Sequence, residues 1–314
     1  MTSRRLIRTK VLHIFYSYTK KEGISFSSIE NELLKSVDKS TDLYYSILLL
    51  LTEIRQKAFM KIDASKHKHL PTKEDLHPNV RFIENPVLTT IEHNPYFEIA
   101  VKNRKLSWAD MPEMISHVYN EFVEGEAYNE YMQKDEISFS DHVDIVLKLF
   151  VNHIAGSEFA IQMLEDKNIF WYDDFELIFE LVYKTIKQAK SEKDLQGDFF
   201  YSIYKEEDIV FARDLLLKSI LEKEKNLELI QPYLKNWEID RISEIDKLIM
   251  VIAISEIRHF SSIPVKVTLD EFIEIAKSYS SDKSKNFING LLDKAVTIMK
   301  ETGELHKTGR GLIN

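Results

Sequence analysis

The chain has 314 residues, with 51 acidic and 42 basic side chains and a formal net charge of -9. It contains no cysteine, which excludes disulfides, thiolate zinc sites and cysteine nucleophiles and fits a reducing cytoplasm. Apolar runs such as Ile47–Leu51 are far too short to span a membrane. We therefore expect a soluble cytoplasmic protein without a membrane partner.

The first predicted helix is basic, although the protein as a whole is acidic. Arg4, Arg5 and Arg8 fall in one sector beside an apolar stripe, and Tyr16 lies just beyond Arg5. Up to residue 21 the chain carries six basic residues and no acidic one. A solvated basic face is the commoner meaning of such a pattern, and a phosphate-binding face is the alternative.

Residues 23–205 show helical periodicity interrupted by a Pro-rich stretch. Five of the seven prolines fall between residues 71 and 112, so we predict a surface loop region over about 64–112. Three histidines of this region (His67, His69 and His77) are interpreted as part of a linker and not as a metal site.

From residue 206 to residue 300 the helical pattern is nearly continuous, and strand alternation is nowhere sustained. The predicted fold class is all-α, in the form of a bundle of short helices. Residues 301–314 are polar and contain glycine, which predicts a flexible tail.

Residues 263–300 combine ordinary helix signals with two unusual positions. Thr268 and Glu271 have the spacing of a capping box that starts a helix, and a final helix is predicted from Lys283. Gly290 lies in the middle of that last helix, where it costs about 1 kcal/mol relative to Ala, so close backbone approach is expected. Phe287 is either an edge-of-core residue or an aromatic platform for a nucleobase.

Residues with catalytic spacing are scarce. Glu256 and His259 have the Glu-x-x-His spacing of carboxylate-bridged iron bundles, but no second copy of the motif exists. Clustered glycines for a phosphate loop and a convincing nucleophile or acid–base pair are also missing. We predict that the protein is not an enzyme, uses no metal or cofactor and has no small-molecule substrate.

Two stretches of the C-terminal half, PVKVTLDEFIEIAKSY and NFINGLLDKA, resemble the last two helices of the NusB family of transcription antitermination factors. The resemblance extends over residues 206–300 and over residues 1–22, where SRRLIRTKVLHIFYSY is similar to the Arg-rich first helix of that family. It does not cover residues 23–205, which we interpret as a helical expansion of the N-terminal part.

The resemblance implies a fold and a function. The fold is a NusB-like bundle of two small helical subdomains. The function is binding of boxA-like single-stranded RNA together with a small-subunit ribosomal protein, NusE. With other Nus factors, the complex acts on RNA polymerase elongation complexes, notably during ribosomal RNA transcription.

The resemblance also implies a set of site residues. The RNA-binding residues by position are Arg4, Arg5, Arg8, Tyr16, Lys283, Lys285 and Phe287. Asp240 and Asp246 match acidic positions that lie towards the ribosomal protein. The chain departs from the family at Val251 and Ser255, which are often Arg and Tyr, and at Lys283, which is often acidic.

Two other functions are considered. A protein-interaction scaffold with a NusB-like fold and a vestigial RNA site remains open. An RNA cytosine methyltransferase with a NusB-like domain is disfavoured, because such enzymes carry a following α/β domain and catalytic cysteines, and the resemblance here runs to the C-terminus of a chain without cysteine.

Overall fold

A computed structural model describes residues 3–21, 23–234 and 242–312, apart from the side chains at positions 282 and 283. The chain divides into two compact units. The core unit comprises Met1–Val37 and Tyr204–Asn314, and the inserted unit comprises Asp38–Ile203.

The predicted all-α class is confirmed, since the described residues form helices, short 3-10 segments and one π-helical segment but no strand. The helices are α1 (Ser3–Lys20), α2 (Phe26–Lys66), α3 (Lys73–Leu76), α4 (Pro86–Glu92), α5 (Pro95–Arg104), α6 (Pro112–Glu124), α7 (Glu126–Gln133), α8 (Phe139–Phe150), α9 (Glu158–Lys167), α10 (Phe175–Lys187), α11 (Glu206–Leu221), α12 (Lys223–Ile230), α13 (Glu244–His259), α14 (Val265–Tyr279) and α15 (Asp282–Glu301). Within the described residues, no helix is long and apolar enough to cross a membrane.

The core unit is built around α13. Every residue from Leu248 to Ile257 is fully buried. Such a helix needs neighbours on all sides, and α1, α11, α12, α14 and α15 all pack against it. The run LIMVIAISEI therefore marks the centre of this unit, with Ser255 and Glu256 as its polar members.

The inserted unit differs from the prediction in its Pro-rich part. Residues 64–112 were expected to be loop, but α4, α5 and α6 begin there at Pro86, Pro95 and Pro112. Proline is well suited to the first position of a helix, where its missing N–H is not needed and its fixed φ fits. Asn85 caps α4 by accepting hydrogen bonds from the next backbone N–H groups, at 2.9 and 3.3 Å.

Residues 301–312 also differ from the prediction, which was a flexible tail. Lys307 Nζ donates to the Phe260 carbonyl at 3.0 Å, and the Thr308 N–H donates to the Ser261 carbonyl at 3.0 Å. Gly311 is buried, and a Cβ there would lie 1.9 Å from the Ser261 oxygen. The segment is packed against the connection between α13 and α14. Its polar groups donate hydrogen bonds to backbone carbonyls of that connection.

Candidate nucleic-acid interface

Helix α1 lies beside α14, and the two helices run parallel in a constant register. Arg5 donates from Nε and Nη2 to the two Glu271 oxygens, at 2.7 and 3.0 Å. Eight residues further along both helices, the His13 and Tyr279 rings meet edge-on with centroids 5.0 Å apart. Both contacts join residues that are 266 positions apart, so α1 and α14 advance together over about 12 Å.

Arg8 lies on the buried side of this helix pair. It donates to both oxygens of Glu256 at 2.7 Å each, and only 2% of Arg8 and 0% of Glu256 is exposed. The Thr268 hydroxyl donates to the same carboxylate at 2.8 Å. A bidentate pair with a third donor satisfies a buried charge. The Arg8 guanidinium is therefore enclosed in this structure, where it offers no exposed donor for the phosphate contact that the resemblance implies.

The hydrogen bond from Thr268 to Glu256 also bears on the predicted start of α14. Thr268 and Glu271 were expected to form a capping box, but the helix begins at Val265 after Pro264. Thr268 thus lies in the second half of the first helical turn and is fully buried, and Glu271 accepts hydrogen bonds from Arg5 of α1. The residue types of a capping box are here used for contacts between helices.

Arg4 and Arg5 are partly exposed, and both contact carboxylates of the protein. Arg4 Nε donates to Asp208 in the first turn of α11 at 3.1 Å, and its Nη2 lies 3.7 Å from Glu207. Arg5 pairs with Glu271, as described above. The basic face of α1 is thus anchored on two neighbouring helices while part of it reaches the surface.

The aromatic residues of the predicted site lie at the other end of α1 and on α15. Tyr16 is 36% exposed, and Lys20 Nζ lies 5.1 Å from the centroid of its ring. Because His13 meets Tyr279 at the end of α14, the C-terminal part of α1, which carries Tyr16, lies towards the connection between α14 and α15. Phe287, in the second turn of α15, packs partly buried against the apolar core. The Lys283 side chain lies outside the described residues.

A surface groove runs between α14 and α15, and Lys285 forms part of its wall. Its lining residues are Asp270, Ile273, Glu274, Lys277, Lys285, Asn286 and Asn289. A hydrogen bond from Lys277, together with the positive charges of Lys277, Arg5 and Lys285, lowers the pKa of the Glu274 carboxyl. Cationic side chains from α1, α14 and α15 therefore share one neighbourhood.

Comparisons of the sequence with known proteins place this chain in a family. The sequence model of the NusB family matches residues 174–297. Three relatives carry the name transcription antitermination protein NusB. The protein of Chloroherpeton thalassium is 37% identical over 147 residues, which is 44% of this chain and 67% of the relative. This chain belongs to the NusB family.

Two further NusB relatives match over shorter spans. The protein of Salinibacter ruber is 42% identical over 103 residues, which is 33% of this chain and 64% of the relative. The protein of Methylacidiphilum infernorum is 43% identical over 88 residues, which is 28% of this chain and 59% of the relative. The chain thus spans about two thirds of the length of these relatives. No solved structure matches the chain significantly.

The NusB family match begins in the inserted unit, at Asp174, and so extends further back than the resemblance recognised in the sequence. It includes α10 as well as α11 to α14 and most of α15. Much of the inserted unit precedes this match.

Of the two residues expected to face a ribosomal protein, the structure describes Asp246 but not Asp240. Asp246 is buried, its N–H donates to the Ser243 hydroxyl at 3.1 Å, and its carboxylate accepts a hydrogen bond from Ser280. It therefore ties the start of α13 to the end of α14 and is enclosed in this structure, and its contact with a ribosomal protein stays a prediction. Asp240 lies outside the described residues.

Sequence reasoning missed the carboxylates that hold the arginines of α1, namely Asp208, Glu256 and Glu271. One of them carried a usable signal, because Glu256 closes an otherwise apolar run and a buried carboxylate requires a cation or several donors. Its partner could not be chosen from the sequence, since several arginines precede it.

Proposed function

We propose that this NusB-family protein is a non-enzymatic transcription antitermination factor. It binds boxA-like single-stranded RNA together with the ribosomal protein NusE, and it acts with other Nus factors on RNA polymerase elongation complexes, notably during ribosomal RNA transcription. Family membership and the names of the relatives support the general role.

One geometric observation supports the location of the RNA site. The parallel register of α1 on α14 directs the Tyr16 end of α1 towards the connection between α14 and α15, the helix that carries Lys285 and Phe287. Single-stranded RNA is typically held by cations on its phosphates and by aromatic rings on its bases. This neighbourhood of helix ends supports a shared RNA surface formed by α1 and α15.

The proposed RNA set is the predicted one without Arg8. Arg4, Arg5, Lys283 and Lys285 contact phosphates, and Tyr16 and Phe287 contact bases. Phe287 suits this role because the core holds part of its ring in place while part stays at the surface. A ring that is already ordered loses little conformational entropy when a base stacks on it.

The scaffold with a vestigial RNA site is a second candidate function. One observation favours it, since Arg4, Arg5 and Arg8 all contact carboxylates of the protein itself. RNA binding distinguishes the two functions directly.

The test is a fluorescence titration of a boxA-containing RNA, with and without NusE, on wild type, Phe287→Leu and Tyr172→Ala. Leucine keeps the apolar packing of Phe287 but removes the stacking face, so the dissociation constant should rise about tenfold. Tyr172, which is 63% exposed in the inserted unit, is the aromatic control and should leave it unchanged. Absence of RNA binding by the wild type, or equal affinity of wild type and Phe287→Leu, would reject the proposed site.

A further inference from the structure

A polar pocket of about 370 Å³ lies in the inserted unit, between α2, the connection that follows α5 and the end of α9. Its volume falls within the range of small-ligand sites. Four cations and two carboxylates line it, although the inserted unit as a whole is acidic. These charged residues are Lys39, Asp42, Arg104, Lys105, Asp110 and Lys167. Positive charge thus exceeds negative charge in the wall, which favours an anionic ligand.

Two buried tryptophans fix the walls of this pocket to α2. Trp108 Nε1 donates to the Ser46 carbonyl at 2.8 Å, and Trp171 Nε1 donates to the Lys39 carbonyl at 2.9 Å. A buried indole N–H usually finds such a partner, and both rings are almost completely enclosed. The two hydrogen bonds hold the α5–α6 connection and the segment after α9 against the same helix. The pocket is therefore preformed.

Carboxylates hold three of the four cations of the pocket in place. Lys39 pairs with Asp42 of the same helix, and Arg104 Nη1 donates to the other oxygen of Asp42 at 2.7 Å. Lys167 Nζ donates to Asp110 at 2.8 Å. Long cationic side chains lose rotamer freedom when they are ordered. Cations that are already ordered lose less of it when an anion binds.

Lys105 is the fourth cation, and its backbone is unusual. It follows the last residue of α5 with φ 55° and ψ 40°, and no other non-glycine residue in the described part of the chain has a positive φ. Glycine normally takes this position, because a Cβ there crowds the following carbonyl oxygen. Lys105 is exposed and has no carboxylate partner among the described residues. The fold thus accepts a strained backbone where an unpaired cation meets the pocket, as is typical of ligand sites.

We propose that this pocket binds a small anion that carries a phosphate group. Such a group has about two negative charges near neutral pH, which suits the cationic wall. Arg104 donates hydrogen bonds to Asp38 and Asp42, and part of its N–H donors have no partner among the described residues. A guanidinium fork and a lysine ammonium are the usual donors to phosphate oxygens. Lys105 supplies the ammonium that no carboxylate of the protein neutralises.

The first test is a calorimetric titration of the full chain with inorganic phosphate and with pyrophosphate, at constant ionic strength set by chloride. Wild type should bind at least one of the two anions, and Lys105→Gly should bind it about tenfold more weakly because a charged hydrogen bond is lost. The matched control is Lys102→Ala, which removes an exposed lysine of α5 and should keep the wild-type affinity. Absence of binding by wild type, or equal affinity of Lys105→Gly, would overturn the proposal.

Lys105→Gly also gives a test in which stability and binding change in opposite directions. Glycine adopts the left-handed conformation without strain, so the thermal midpoint without phosphate should rise by roughly 2 °C. Phosphate should raise the midpoint of wild type further but have little effect on this variant. A phosphate-free variant less stable than wild type would contradict the strain at position 105, and with it the reason for placing a ligand there.

RNA is the other possible source of phosphate groups, and a titration with the boxA-containing RNA distinguishes it. Lys105→Gly should bind this RNA as tightly as wild type does. A weaker RNA affinity of the variant, without binding of either small anion by wild type, would assign the cations to an RNA backbone and overturn the inference. The pocket does not depend on the proposed function. A wild type that binds phosphate but no RNA keeps the pocket and rejects the RNA site.

Discussion

Arg8 and Glu256 form an ion pair that is almost completely shielded from water. Two hydrogen bonds of 2.7 Å and the Thr268 hydroxyl satisfy the carboxylate. Removing one member of such a pair leaves an uncompensated buried charge, whereas an exposed pair contributes little. The pair therefore serves to position α1 against α13 and α14, and its loss should affect folding before it affects binding.

We expect Arg8→Met to lower the free energy of unfolding by about 3–5 kcal/mol, because Glu256 remains buried without its cation. Urea denaturation measures this change. The control is Arg213→Met, which breaks a partly exposed pair with Glu30 and should cost about 0–1 kcal/mol. Adding Glu256→Gln to Arg8→Met should recover part of the loss. Similar losses of unfolding free energy in Arg8→Met and Arg213→Met would show that the buried pair stabilises the fold no more than the exposed pair does.

Helix α13 is held at its C-terminal end by a cluster of charged residues. Arg258 Nη1 donates to Glu222 Oε2 at 2.8 Å, and His259 Nε2 lies 2.7 Å from Glu222 Oε1. Burial acts to raise the pKa of Glu222, but the hydrogen bonds and charges of Arg258 and His259 together outweigh it and lower the pKa. Cations at the end of a helix also interact favourably with its dipole.

The lowered pKa of Glu222 predicts a pH dependence of stability. A carboxyl whose pKa is lower in the folded state stabilises the fold above its ordinary value of 4.5, and this contribution is lost as the pH falls through the folded pKa. Glu222→Gln should therefore be less stable than wild type at neutral pH, with a difference that shrinks below pH 4.5. Urea denaturation across this range measures it. Glu228→Gln, an exposed change on α12, should show no such trend.

Charge is divided unevenly over the whole molecule. The inserted unit contains 29 acidic and 18 basic residues, whereas the core unit contains 22 and 24. The net negative charge of the protein therefore resides in the inserted unit. Overall acidity is compatible with RNA binding because screening at physiological ionic strength limits the reach of exposed charges to about 8 Å.

Salt dependence tests how many cations contact the RNA. The four proposed phosphate contacts on a single strand predict that the logarithm of the association constant falls against the logarithm of salt concentration with a slope of about -3. Lys285→Ala should reduce the magnitude of this slope by about 0.7. Lys300→Ala, an exposed lysine at the far end of the same helix, is the control and should leave the slope unchanged. Identical slopes for wild type and Lys285→Ala would remove Lys285 from the phosphate contacts.

Much of the fold was readable from local patterns. Helical periodicity, scarce glycine and the absence of sustained alternation predicted the all-α class. The prolines at 86, 95 and 112 misled the prediction because proline both breaks helices and starts them. The deciding feature there is the asparagine before two of these prolines, which caps the helix.

The sequence by itself determined the helical class and the resemblance of both chain ends to the NusB family. Only the tertiary structure decided that Arg8 is enclosed, that Thr268 serves Glu256 and that residues 304–312 pack on the α13–α14 connection. The physical reason is the separation along the chain over which each interaction acts. Periodicity and capping act within a few residues of the chain, whereas the partner of Arg8 lies 248 positions away and is selected by how α1, α13 and α14 pack.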